Sequence, residues 1–546
     1  MSKQLVTQFD VKKPIIAICS IFTASLILKL IFYDPSIPVI MDALDTFLFA
    51  TNIHVIGQLP ENYLDPKPLW PMFLSLFFSV FDFSQTQSYM QLQKILSVLI
   101  SCITIFPLYY LCKKFFNSKY SLVGILIFAV EPRLMANSLI GGTDQFFIFF
   151  IVMTLLTFFN KTKIFYLSFV FAGLAAIARP EGIFLFFSIA IMLFFRLRGK
   201  KLFLSKYLIS LLIFCIIILP LSIHAEQVPN TESVFSRIIS SIDQFIPSDT
   251  KPTPSEISHN DIEFNKNTIS ILTGLEHFPK FMGWVMIPLF ILVTPIGFFL
   301  FIKKLNPDKL TLIVTSVFLS IPAFYAYSYP LLETRYLYFL FPIFCIFAIL
   351  PIKLFCEKMR RPNLALLGIM LMIIFISVLF ISYQFDFQHE KESVKVAEIV
   401  IENTSSINEY YPESQYISSL DISQNWLELN RHYKSALSNK DVIPEISSYH
   451  PSNRKSMMNH IPHKITIVID DGYFSSFENL PSFIDSTRIS HIVVDGHENR
   501  PHYLNDVFLN EKEYPYLTKI YDSQDDNLMY HVKIFEIDYE KFIPSR

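Results

Sequence analysis

Apolar stretches long enough to cross a bilayer recur through the first 383 residues, and every second loop between them is basic. This alternation constrains the chain more than any single motif, because Lys and Arg in short loops stay on the cytoplasmic side. Reading runs of roughly 17 to 25 apolar residues as spans places them near 14–33, 92–112, 119–134, 145–160, 164–179, 182–197, 203–223, 280–302, 309–329, 336–353 and 363–383. That makes about eleven spans. With the N-terminus inside, the cytoplasmic loops hold Lys12 and Lys13; Lys113 and Lys114; Lys161 and Lys163; Arg196, Arg198, Lys200 and Lys201; Lys303 and Lys304; then Lys358, Arg360 and Arg361. The opposite loops hold isolated cations, chiefly Lys67, Arg133, Arg179 and Arg335.

Composition agrees. The 546 residues are 52% hydrophobic and 16% aromatic, with a mean hydropathy of +0.42, more apolar side chain than one soluble core of this length holds. A net charge of −2 is uninformative because acids and bases are sorted by region, and nothing points to nucleic acid as a partner. The six cysteines show neither CxxC nor Cys/His spacing, so neither a disulfide framework nor a zinc site is readable. The opening "MSKQLVTQFDVKKP" enters the first apolar run without an A-x-A-like cleavage site, which favours an uncleaved span over a signal peptide.

Three larger pieces then fall on the outer face: residues 34–91, residues 224–279 and everything after about 384. The expected organisation is a membrane module over 1–383 and an extracytoplasmic domain over 384–546. In the first loop, Pro68 to Phe83 is too short for a span and reads as a helix at the interface. The second loop is polar and Pro/Ser-rich. The tail shortens to strand-length runs at Lys464–Asp470, Ile489–Gly496 and Met529–Tyr539, with a helix-like stretch at Ser423–Ser438, the pattern of a small α/β domain. Asp470, Asp471 and Asp495 end such strands, where sheets of this kind bind ligands, although turn-forming Asp is the simpler reading. Asn403 is a sequon on the same face.

Ionisable groups at span ends are costly and usually have a task. On the outer face they form a short set: Asp42 and Asp45, three apart and so on one helical face; Glu131, Arg133 and Asp144 in "EPRLMANSLIGGTDQ"; Arg179 and Glu181, which read as a turn between close spans; Glu333 and Arg335 in "ETRYLYFLFP". Each alone has a bland reading as a helix cap or a weak local ion pair. Together they bring acid and base to one face otherwise poor in charge. A carboxylate can take the proton of an attacking hydroxyl, and arginines can neutralise a phosphate leaving group. A lipid-linked sugar phosphate fits that chemistry, its tail in the bilayer, its phosphate on Arg and its C1 facing Asp.

These residues resemble the GT-C superfamily of membrane glycosyltransferases, which includes protein O-mannosyltransferases, aminoarabinose transferases and the catalytic subunit of oligosaccharyltransferases. The resemblance covers the whole chain: one span, an Asp-bearing first outer loop, many further spans, and an outer C-terminal domain. It implies an α-helical polytopic fold with a small extracytoplasmic α/β C-terminal domain. "MDALDTFLFA" is similar to the acidic motif that holds the catalytic Asp, which implies Asp42 first and Asp45 second. The second-loop pattern implies Arg133, Ser138, Gly142 and Asp144, and Asp144 with neighbouring Glu131 are the supporting or metal candidates. "ETRYLYFLFP" implies Arg335, with Arg133, for the donor phosphate. Asp144 is followed by Gln145 where oligosaccharyltransferases carry a second acid, and the tail lacks a WWD-type motif. This argues against transfer to Asn sequons and leaves a Mg or Mn ion possible but not required. The low glycine content, tail and second loop resemble archaeal members.

The expectation is an inverting transferase that uses a polyprenyl (dolichyl) phosphate donor and the hydroxyl of a protein or lipid-linked glycan acceptor. A secondary transporter or flippase is the alternative from another class, yet transporters place charges near the midplane and show internal repeats, neither of which is visible. A non-catalytic subunit with the same fold is the third reading.

Overall fold

The computed structural model describes residues 6–37, 42–59, 67–81, 86–160, 162–200, 202–228, 271–303, 305–328, 331–384, 502–528 and 531–542, with the short pieces 416–418, 466–468 and 491–495 and a few single positions between them. The expectations for Ser423–Ser438, Asn403, Asp470, Asp471 and most of the second outer loop lie outside the described residues.

Helices dominate the first part: α1 Val6–Ile31, α2 Asp42–Ile56, α3 Leu69–Val80, α4 Thr86–Ile103, α5 Ile105–Lys113, α6 Ser118–Val130, α7 Pro132–Ile140, α8 Asp144–Phe158, α9 Leu167–Ala178, α10 Gly182–Leu197 and α11 Phe203–Gln227. After the second loop come α12 Ile271–Val285, α13 Val293–Lys303, α14 Pro307–Ser328, a 3-10 helix Thr334–Leu340, α15 Phe341–Lys358 and α16 Pro362–Gln384. Among the described residues six stretches are long and apolar enough to cross a membrane: Pro14–Ile31, Gln87–Lys113, Phe203–Gln227, Pro307–Ser328, Thr334–Lys358 and Pro362–Ser382. The pair α6 and α7, bent by 49°, makes a seventh if counted as one.

The chain is therefore a multi-pass membrane protein, and among the described residues six or seven of the about eleven apolar runs are helices of full crossing length. The runs near 145–160, 164–179, 182–197 and 280–302 hold shorter helices, including Asp144–Phe158, Lys163–Ala178, Gly182–Leu197 and Val293–Lys303. A helix such as α8, with 15 residues, rises roughly 22 Å, short of a hydrocarbon layer about 30 Å thick. Composition does not register where the backbone stops. Polar turns at Gly141–Thr143 and Arg179–Glu181 end these helices early.

The interior is aromatic, with Trp70, Phe47, Phe78, Phe147, Phe158 and Phe169 fully buried. Helix α3, read from the sequence as lying at or dipping into the interface, packs on the bundle through Trp70, Leu74 and Phe78 while Leu76 and Val80 stay exposed. On α16, Leu364, Leu367, Leu371, Phe375 and Leu379 remain exposed, the surface that lipid covers. Where water supplies no hydrophobic drive between helices, small residues let backbones approach. Gly297 on α13 is such a residue: a Cβ there would stand 2.0 Å from the Phe347 carbonyl oxygen on α15.

The described part of the tail forms a mixed five-stranded sheet in the order β2-β1-β3-β5-β4. Its strands are β1 Tyr416–Ser418, β2 Thr466–Val468, β3 His491–Asp495, β4 Leu517–Asp522 and β5 Val532–Ile537. Strands β2, β1 and β3 run parallel, while β5 is antiparallel to both β3 and β4. Three of these strands fall in the apolar runs read from the sequence.

Gly297→Ala is expected to force α13 from α15 and cost about 1–3 kcal/mol, the range for overpacking. Thermal unfolding in detergent tests this; an unchanged midpoint would mean that the two helices do not pack this closely.

Candidate active site

The approach to Asp42 is set by the polar face of α4. Gln87 and Gln91 donate to the Pro35 carbonyl at 2.8 and 3.0 Å, and Lys94 Nζ donates to the Asp34 and Ile37 carbonyls at 3.3 and 3.0 Å. Buried Gln93 then donates through Nε2 to two carbonyls, Ala43 and Gly141, each at 2.9 Å. Trp70 Nε1 adds a bond to the Gly141 carbonyl at 3.1 Å. One residue of α2 and the turn after α7 are thus pinned to the same side chain. Gly141 itself has φ 87°, a left-handed helix stop that favours glycine, and a Cβ there would meet Gln93 Cγ and Lys94 Cγ at 3.3 Å.

Asp42 is the first residue of α2, where a carboxylate also complements the helix dipole. Its Oδ2 accepts from Lys67 Nζ at 2.9 Å and from Arg335 Nη1 at 2.9 Å. Arg335 comes from the 3-10 helix and also pairs through Nε with Glu333. The carboxylate stays 40% exposed, so the pair is reachable by a ligand. Partial burial pushes the Asp42 carboxyl up, but Lys67 and Arg335, helped by Arg179, outweigh that and hold it at about 2. Its contribution to stability is accordingly present above the ordinary value of 3.8 and lost only as pH falls through about 2.

A second cluster lies deeper. Asp144, the first residue of α8, is buried and faces Arg179, which is 4% exposed. Asp144 Oδ2 also accepts from Asn137 Nδ2 at 2.7 Å. Arg179 donates to Glu181 through Nε at 3.3 Å and Nη2 at 2.9 Å, and its guanidinium lies over the Phe339 ring with its Cζ 4.9 Å from the centroid. The 3-10 helix therefore serves both clusters, placing Arg335 on Asp42 and Phe339 under Arg179.

The structure brings together Asp42 and Arg335 and adds Lys67. Asp45 sits one turn along α2 and is exposed. Glu131, a supporting or metal candidate in the sequence, caps α7: its Oε2 accepts from the Leu134 amide at 2.7 Å, and Pro132 follows at the first helical position. Arg133 donates to the Trp284 carbonyl at 2.9 Å and lies over the Phe380 ring, partners different from those of Asp42. Ser138 bonds the Met135 carbonyl of its own helix. Asp144 meets Arg179 rather than Asp42. Among the described residues no three His, Cys, Asp or Glu side chains converge as metal ligands would.

Residues 65–224 match the family described as dolichyl-phosphate-mannose-protein mannosyltransferase. The oligosaccharyltransferase of Archaeoglobus fulgidus, crystallised with Zn and sulfate, has a similar fold (TM-score 0.56, 14% identity, 87% of this chain and 68% of that one covered). So does ArnT from Cupriavidus metallidurans bound to undecaprenyl phosphate (TM-score 0.51, 10% identity, 94% and 97% covered). The chain has the GT-C fold of membrane glycosyltransferases. A further GT-C structure, AglB from Archaeoglobus fulgidus with an inhibitory peptide and a dolichol-phosphate, matches at TM-score 0.50 and 14% identity over 88% of this chain and 69% of that one. No curated protein matches the chain.

Within this GT-C fold the two clusters predict different costs. Removing one member of a buried pair leaves its partner's charge uncompensated, so Arg179→Gln is expected to destabilise the protein by about 3–5 kcal/mol. Asp42→Asn, at a half-exposed site where solvent screens the ion pairs, is expected to lower the unfolding midpoint clearly less than Arg179→Gln does. Equal losses in the two variants would contradict this division.

Proposed function

We propose that this GT-C enzyme transfers a sugar from a polyprenyl (dolichyl) phosphate donor to an acceptor hydroxyl, on a protein or a lipid-linked glycan, with inversion at the anomeric carbon. The observation that carries the reading is the Asp42 carboxylate shared between Lys67 and Arg335 at the start of α2. A carboxylate pinned by two cations is ionised and oriented, yet with its proton affinity so depressed it is a poor base. The phosphate of an arriving donor competes for the same cations. Acids outnumber bases here, with Asp42, Glu333, Asp144 and Glu181 around Lys67, Arg179 and Arg335, so the anion enters by displacing a carboxylate. Asp42 is the exposed one paired to both surface cations.

The sequence of events follows. Arg335 and Lys67 turn from Asp42 to the donor phosphate, and the proton affinity of Asp42 rises. The acceptor oxygen attacks C1 while its proton passes to Asp42. The bond from C1 to the phosphate oxygen breaks, its electron pair leaves with the lipid phosphate, and Arg335 and Lys67 neutralise the new charge. Asp45, exposed one turn on, is positioned for the acceptor. Asp144 serves at one remove by holding Arg179, and with it Phe339 and the 3-10 helix. The acids of both clusters are taken up by cationic side chains, so a Mg or Mn ion has no ready ligand set among the described residues, and no step above uses one.

The alternation of basic loops supports an N-terminus in the cytoplasm, with the Asp42 face and residues 384–546 outside. The AglB and ArnT structures were obtained with a dolichol-phosphate and with undecaprenyl phosphate, which supports a polyprenyl phosphate donor here.

Incubation of the purified protein in lipid with radiolabelled polyprenyl-phosphate sugars and an acceptor extract tests the reading. Asp42→Asn is expected to lower transfer by at least about 100-fold with folding unchanged, and Arg335→Gln to raise the donor KM more than Arg133→Gln does. No transfer by the wild type from any donor would sink the transferase reading; a fully active Asp42→Asn would sink the site. The pH profile adds a second check. With the free-enzyme carboxyl at about 2, kcat/KM should show no acid limb from Asp42 above about pH 4, while kcat at saturating donor should show its limb shifted upward.

A further inference from the structure

Helix α8 begins at Asp144 beside the site and ends at Phe158, roughly 20 Å away. At that far end lies a cavity of ≈ 480 Å³ lined by Tyr110, Lys113, Lys114, Leu156, Thr157, Asn160 and Ile164. It joins the ends of two separate apolar segments. Lys113 is the last residue of the Gln87–Lys113 stretch, and Asn160 and Ile164 follow α8; ends of apolar segments of this kind are where lipid headgroups meet a membrane protein.

Its chemistry is two-sided. Lys113 and Lys114 are exposed, Asn160 and Thr157 add polar groups, and none of the described lining residues is acidic. The other wall is apolar, with Tyr110 49% and Ile164 46% exposed. The carbonyls that end α8 already have a cation: Arg196 from α10 donates to Phe158 at 2.6 Å and to Asn160 at 3.2 Å. The lysines are not needed there. A basic pocket between membrane helices on the positively charged face suits an anionic lipid headgroup.

We infer that this cavity binds the phosphate of an anionic membrane phospholipid, with Lys113 and Lys114 on the phosphate and Tyr110, Leu156 and Ile164 against the first acyl carbons. The inference does not depend on the transferase reading. A lipid seated there clamps the end of α5 to the end of α8, the helix whose other end holds Asp144.

The test titrates full-length protein in mild detergent with dioleoylphosphatidylglycerol or dioleoylphosphatidylcholine and counts bound lipid by native mass spectrometry. Lys113→Gln with Lys114→Gln is compared with Lys358→Gln with Arg360→Gln, two cations elsewhere on the same face, and thermal unfolding confirms that each variant is folded. The glycerol lipid is expected to bind the wild type, and the Lys113/Lys114 variant to bind it about tenfold or more weakly, with the Lys358/Arg360 variant close to wild type. Ile164→Asp, which leaves both lysines in place, should also weaken it. Three results would overturn the inference: equal binding of the choline lipid, unchanged binding by the Lys113/Lys114 variant, or displacement of the lipid by inorganic phosphate at equal concentration, which would make the site one for a free anion.

Discussion

The Asp42 carboxylate held between Lys67 and Arg335 is the interaction on which the rest of the structure turns. A charge at the mouth of a membrane bundle is poorly solvated and needs a partner. Here the partners come from distant parts of the chain, 25 residues away for Lys67 and 293 for Arg335. The same arrangement that solves the solvation problem makes a site. In the proposed reaction these two cations exchange the carboxylate for a second anion, and the carboxylate they release faces the space where that anion arrives.

Everything around this cluster is concerned with holding it in register. The glutamines and Lys94 of α4 fix the segment leading into α2, and Gln93 ties Ala43 to the Gly141 turn. The buried Arg179 satisfies Asp144 and Glu181 and stacks on Phe339, so the short 3-10 helix that delivers Arg335 rests on a buried, fully paired base. Such a base is the structural condition for electrostatic catalysis, in which charges are oriented before the reaction rather than during it. The buried cluster thus contributes to stability and position, and the exposed one is the seat of the proposed chemistry.

Much of this was legible in the sequence. Long apolar runs and the alternation of basic loops specify a multi-pass helical protein, because bilayer thickness and lysine placement are strong constraints. Asp42 and Arg335 stood out as charges at span ends, and the resemblance to GT-C enzymes singled them out. What escaped depends on helix phase and on where backbones stop. Lys67 was visible only as a lone cation near Trp70. Arg133 follows a capping Glu131 and a proline at the first helical turn, which start α7 so that its guanidinium reaches Trp284 and Phe380. Arg179 and Glu181 do form the turn that their Pro-Gly context indicates, but no local pattern discloses that Asp144 closes on them from 35 residues away. The span count rests on apolar length, and in four of its runs the described helices are shorter than a full crossing.

If the cations at Asp42 are the seat of the donor phosphate, Asp42 is both the base and the competitor that the phosphate must displace. Measuring the affinity of dolichyl phosphate for the wild type and for Asp42→Asn tests this directly, because the two roles give opposite signs. The account predicts that the variant binds the lipid phosphate more tightly while losing transfer, since Lys67 and Arg335 are freed. Unchanged or weaker binding would contradict it and show that the phosphate is held elsewhere.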